Sequence, residues 1–209
     1  MTNGTLIFDL RVSTVPLINA RMEFNHNYKI LTSSSFRTQI VQWKFGRPIH
    51  AEYIIWGGEP SLLLNWFLQR TIIGVEAYIP GAVFVAAAHY GRLTPAVAKA
   101  TKDPFSLGGK SAANTFYNCL PGLIELDFRM LRARGRVWKR TCRFYLEIRN
   151  PLFHGSQLDT SDHNHAKTLD SVLRALQLFV EIYEWIDWWC PPKMLASTGS
   201  VPISEPPRL

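Results

Sequence analysis

The stretch SDHNHAKTLDSVLRALQLFVEIYEWIDWWCPP, residues 161–192, decides how the second half of the chain folds. Leu169, Val172, Leu173, Leu176, Val180 and Tyr183 recur at intervals of three and four, which lines one face of a helix with apolar side chains. Ser161 or Asp162 is a sensible N-cap, and the Pro191-Pro192 pair stops the helix after Trp189. Helical periodicity holds upstream as far as Glu59. It predicts helices over 61–78 (stopped by Pro80-Gly81), 82–90, 95–102, 111–134 with a kink at Pro121, and 136–149 after Gly135. Residues 103–110, with Pro104 and two glycines, read as a loop.

Before residue 58 the period changes to two. Leu6, Phe8, Leu10 and Val12 alternate with Ile7, Asp9 and Arg11, and Val41, Trp43 and Phe45 alternate with Gln42 and Lys44, so a strand would bury one set. Residues 28–32 and 49–56 add candidate strands, with Gly57-Gly58 and Pro60 as punctuation. The expected fold is therefore α+β, mainly α. A small β-rich region (1–58) precedes a helical bundle (59–190) and a flexible proline-rich tail (191–209).

A hydrophobic share of 47% over 209 residues is enough for one substantial core. The net charge of +7 favours a polyanionic partner such as RNA. Cys119, Cys142 and Cys190 form no CxxC pair and are odd in number, which indicates neither a disulfide framework nor a zinc ribbon and fits a reducing compartment. The N-terminus lacks a secretory pattern, and the most apolar stretch, 61–79, carries Asn65, Gln69, Arg70 and Glu76. A soluble cytoplasmic protein with no membrane partner is expected.

Between the last two predicted helices lies Arg149-Asn150-Pro151-Leu152-Phe153-His154-Gly155. On an unbroken helix, residues five apart point about 140° away from each other. Pro151 pushes Asn150 out of the α region and breaks the helix, a way to turn Arg149 and His154 toward one cleft, and Gly155 allows a close turn afterwards. A histidine exchanges protons near neutral pH, and a guanidinium offers paired donors to a phosphate gaining negative charge. RNA brings its own nucleophile, the 2′-hydroxyl, so these groups suffice without metal or cofactor. Asn150 is a candidate for orienting His154 or bonding a phosphate oxygen, and Glu147 for supporting Arg149. The competing reading makes Arg149 a helix C-cap and His154-Gly155 ordinary loop.

This segment resembles the Arg-x4-6-His signature of the HEPN domain family, small helical domains many of which are metal-independent endoribonucleases. The likeness rests on Asn150 directly after the arginine, a spacing of four, and a long last helix downstream. It implies a homodimer whose facing signatures form a composite site, RNA as substrate with a 2′,3′-cyclic phosphate product, and a toxin or antiviral defence role with an antitoxin or regulatory protein partner. Some relatives carry a modified tyrosine two residues after the histidine; here Ser156 stands there, which speaks against that regulation. The alternative is a noncatalytic HEPN-like module that binds RNA or protein and dimerises.

Between Arg129 and Arg149 eight basic residues face one acid, Glu147. Of these, Arg136, Lys139, Arg140 and Arg143 form the expected RNA track, with Trp138 and Tyr145 as candidates for base stacking; the alternative is a solvated helix face with the aromatics in the core. Other signals are set aside. Arg21 and His26 repeat the spacing, but with Met22 after the arginine and in a region read as strands. Gly109-Lys110-Ser111 lacks the first glycine of a phosphate-binding loop, since position 104 is proline. Asp159, Asp162, His163 and His165 show no defined ligand motif, and no metal site is assigned. Trp185, Trp188 and Trp189 serve either the core or a dimer contact, and His89 reads as packed.

Overall fold

A computed structural model describes residues 10–44, 49–51, 54–56, 60–125, 136–155 and 165–195. Helices dominate it: α1 (Leu10–Leu31), α2 (Ser34–Val41), α3 (Pro60–His89) and α4 (Pro95–Lys102) lead to a 3-10 turn at Pro104–Leu107. Next, α5 joins Ala112–Asn114, a π turn at Thr115–Cys119, and Leu120–Gly122. In the same manner α6 joins Arg136–Phe144, a π turn at Tyr145–Arg149, and Asn150–Phe153. The chain then forms α7 (His165–Trp189) and the short α8 (Pro192–Leu195). The only strands among the described residues are β1 (Ile49–Ala51) and β2 (Ile54–Trp56), an antiparallel pair in which Ile49 faces Trp56.

The fold is all-α, which overturns the expected α+β class with its β-rich N-terminal region. Leu17, Ala20, Phe24, Asn27 and Leu31 follow a spacing of three and four, and all but the partly buried Ala20 are buried, so the period that governs this region is helical. The alternation at Leu10 and Val12 spans too few residues to compete, and Tyr28 to Leu31 continue α1; residues 1–9 lie outside the described part. Packing, rather than local β propensity, settles the outcome. Phe24 meets Tyr183 at 4.8 Å between ring centroids, and Phe36 meets Phe67 edge-on at 6.4 Å, so α1 and α2 share one apolar cluster with α3 and α7.

Central to that cluster is α3. Its thirty residues run through Pro80-Gly81, where a stop was expected. Proline removes one backbone bond, yet Pro80 is buried within a helix that α1 and α7 both contact. Gly81 lies against the Leu17 side chain, where a Cβ would collide, so the glycine lets α1 come close. By length and composition α3 is apolar enough to cross a membrane; 67% of its most apolar window is buried inside the fold. Thr94 caps α4 by accepting from the Val97 N–H at 3.2 Å.

At the C-terminal end α7 follows the predicted stripe: Leu169, Val172, Leu176 and Tyr183 are buried, with Leu173 and Val180 packed at the edge. Its expected caps Ser161 and Asp162 lie outside the described residues. Trp185 and Trp189 belong to the core, whereas Trp188 is 62% exposed. The tail is ordered at its start, since Met194 and Leu195 of α8 are buried, while residues 196–209 lie outside the described part. His89 is exposed at the end of α3, its ring edge-on to Tyr90 at 5.4 Å, contrary to the packed role expected of it.

Candidate functional site

The helix does not break at Pro151. Asn150 holds φ −64° and ψ −50°, ordinary α geometry, and α6 continues to Phe153. A proline ring collides with the carbonyl four residues earlier in a regular helix; here the wider π turn at Tyr145–Arg149 lies just ahead of the proline and accommodates it. Residue Pro121 is treated the same way, two positions after the π turn Thr115–Cys119. His154 ends α6, its backbone N–H bonding the Asn150 and Pro151 carbonyls, and Gly155 follows with φ +88°, a conformation that glycine adopts without strain.

This geometry sends the proposed residues in different directions. Arg149 turns inward to Glu76 of α3: Nε lies 2.9 Å from one carboxylate oxygen and Nη2 3.0 Å from the other. Both side chains are largely enclosed, at 16% and 12% exposure. The Phe153 ring lies 4.6 Å from the guanidinium carbon, and Nη1 bonds the Asn150 side-chain oxygen at 3.4 Å. Hydrogen bonding to Glu76 holds the Arg149 guanidinium above its ordinary pKa, so its charge is permanent. His154, by contrast, is exposed, and its side chain forms no hydrogen bond with another described residue.

Behind Arg149 the two π turns meet. The Tyr145 hydroxyl donates to the Tyr117 hydroxyl at 3.2 Å, and their rings pack edge-on at 5.6 Å. Burial pushes both phenols well above their usual range. Tyr145 is 3% exposed and is therefore a core residue, not the stacking surface expected for it. Trp138 is packed at the edge of the core.

Glu147 does not support Arg149. It pairs one turn back with Arg143, whose Nε reaches both carboxylate oxygens at 2.9 Å. The carboxylate that holds Arg149 is Glu76, a polar position within the apolar stretch 61–79. A signal for it existed: a carboxylate inside an apolar helix needs a buried partner. Arg136, Lys139, Arg140 and Arg143 all lie on the exposed side of α6, with Arg140 bonded to Glu181 of α7 at 2.7 Å. Arg129, Arg132 and Arg134 lie outside the described residues.

The second Arg-x4-His match lies on a helix, not a strand. Arg21 bonds Asp187 at 2.9 Å and stacks over Tyr183 at 4.0 Å, which ties α1 to α7 and gives that arginine a structural role. Lys110 and Ser111 begin no phosphate loop; the Ser111 hydroxyl caps α5 by accepting from the Asn114 N–H. Among the described residues no three His, Cys, Asp or Glu side chains gather as metal ligands; Asp159, Asp162, His163 and the side chain of His165 lie outside them.

What the arrangement can do chemically is limited and specific. Glu76 takes one edge of the Arg149 guanidinium and leaves donors on Nη1 and Nη2, while an exposed imidazole stands at the end of the same helix. No protein-family model, curated protein or solved structure compared with the chain matches it.

Proposed function

We propose that this chain is a HEPN-like endoribonuclease that works without a metal, with Arg149 and His154 acting in a site completed by a second copy. The observation that carries the reading is the clamp on Arg149: Glu76 fixes the guanidinium side-on, Asn150 bonds it from the next position, and His154 stays in solvent at the helix end. His154 takes the proton from the ribose 2′-hydroxyl, and O2′ then attacks phosphorus. The P–O5′ bond breaks, leaving a 2′,3′-cyclic phosphate and a 5′-hydroxyl that receives its proton from the second copy's His154. Free donors of Arg149 stabilise the charge that accumulates on the phosphoryl oxygens. Pairing across two copies fits an Arg149 held against α3 and an exposed His154, and the exposed Phe153 and Leu146, at 39% and 71%, supply apolar surface beside the site.

One observation favours a second reading, a noncatalytic RNA-binding module: Glu76 neutralises Arg149 and occupies two of its donors. A single experiment separates the two. RNA is incubated in chelator with the wild-type chain, Arg149→Ala and His154→Ala, each checked for folding by its melting curve. The enzyme reading expects cleavage by the wild type, ending in cyclic phosphate, and a loss of about 10²- to 10⁴-fold in His154→Ala. Equal products from all three chains overturn it, and binding without cleavage by the wild type establishes the second reading.

A further inference from the structure

A groove of about 200 Å³ runs between α6 and α7, and neither Arg149 nor Glu76 lines it. Phe144, Ile148, Ala175 and Leu178 make its floor, and Arg140, Arg143 and Arg174 stand along its rim with Glu147. The three cations differ in how they are held. Arg140 and Arg143 each face a carboxylate, Glu181 and Glu147, at 2.7 and 2.9 Å. Arg174 bonds the Ser171 hydroxyl at 3.0 Å, and no carboxylate among the described residues pairs with it. Arg143 is also 75% exposed, so a stronger anion can draw it from Glu147 with little cost.

From this arrangement we infer that the groove binds single-stranded RNA, seating one unpaired base on the apolar floor while Arg143 and Arg174 take the flanking phosphates. The inference rests on the reading above that the chain engages RNA, and it adds the place and the state of the strand. An apolar floor gives a base a surface to leave water for, and guanidinium planes stack on bases as well as bonding phosphates. A duplex does not fit this chemistry, because its base faces are already stacked and it offers only phosphates, 2′-hydroxyls and base edges, none of which can lie on an apolar floor. The charge complements a strand in the same way: Arg136 and Lys139 extend the cationic side along α6, so successive phosphates have partners beyond the groove.

Binding is measured by fluorescence anisotropy with a labelled single-stranded 2′-O-methyl oligoribonucleotide, which lacks the nucleophile and cannot be cleaved. The expected result is tighter binding than to a duplex of the same sequence or to an oligomer with abasic positions, by roughly tenfold or more. Arg174→Glu lowers affinity by a similar factor, and Arg174→Ala makes the slope of log affinity against log salt shallower by about 0.7. Lys99→Ala, on the exposed side of α4, leaves both unchanged. Equal affinity for the duplex or the abasic strand, or an Arg174→Glu chain that folds and binds as the wild type does, overturns the assignment. Cleavage retained alongside undiminished Arg174→Glu binding removes the groove alone, whereas groove binding without cleavage removes only the nuclease.

Discussion

Arg149 owes its position to one carboxylate on another helix, and the energetics of that pair decide how its variants must be read. With side chains 16% and 12% exposed, the pair lies between a surface bridge, where about 0–1 kcal/mol is usual, and a fully buried one, where removing a single partner costs about 3–5 kcal/mol. Glu76→Gln keeps the shape and removes the charge, leaving Arg149 enclosed without a counterion. We expect a loss of about 2–4 kcal/mol in urea denaturation, and a loss within the surface range of about 0–1 kcal/mol would contradict the enclosed geometry. The double variant Glu76→Leu/Arg149→Met recovers most of that stability, since no charge is left stranded. It also isolates chemistry from folding: a stable double variant without cleavage assigns Arg149 to the reaction, whereas one that cleaves RNA as the wild type does removes it. Sequence alone showed Arg149, Asn150 and His154 as neighbours. It did not show Glu76, because that contact spans 73 positions and depends on how α6 crosses α3.

At the scale of elements, the unexpected parts are the π turns. Proline was legible as a perturbation at both 121 and 151, and its remedy was not: the chain widens the preceding turn instead of ending the helix. The N-terminal region failed for a related reason, since Leu10 and Val12 alternate locally while the spacing that packs, from Leu17 through Leu31, belongs to a helix. Where periodicity ran long, as in α7, the sequence was sufficient. The two π turns are joined through Tyr117 and Tyr145, so the hydroxyl pair measures how much they depend on each other. Tyr145→Phe strands a buried hydroxyl on Tyr117 and should cost about 1–3 kcal/mol. Tyr117→Phe and Tyr145→Phe together should cost less than the sum of the single changes, because the double variant strands neither group. Strict additivity in a thermal or urea cycle would mean that the hydroxyls do not interact.

Across the whole molecule, burial of titratable groups sets an alkaline limit on stability. Burial pushes Tyr78, Tyr117, Tyr145 and Tyr183 above the ordinary phenol value of 10.0, and pushes Cys190 up to about 12 from 9.0. In every case the folded state holds its proton more tightly than the unfolded chain does. Stability from these groups is complete below the unfolded values, and it declines once the unfolded chain begins to ionise, first at the thiol near 9.0 and then at the phenols near 10.0. The melting temperature should therefore show no loss from these groups between neutral pH and about 9 and fall steeply above 10, with Cys190 unreactive toward a thiol reagent until the chain unfolds. Tyr183 gives the sharpest test. Its hydroxyl is buried with no hydrogen-bond partner among the described residues, while its ring packs between Phe24 and Tyr78. Tyr183→Phe keeps the ring and removes a group that only the unfolded state readily ionises. Its melting temperature should match or exceed that of the wild type at neutral pH and decline less between pH 9 and 11; a decline as steep as the wild type's would show that Tyr183 is not held protonated by the fold.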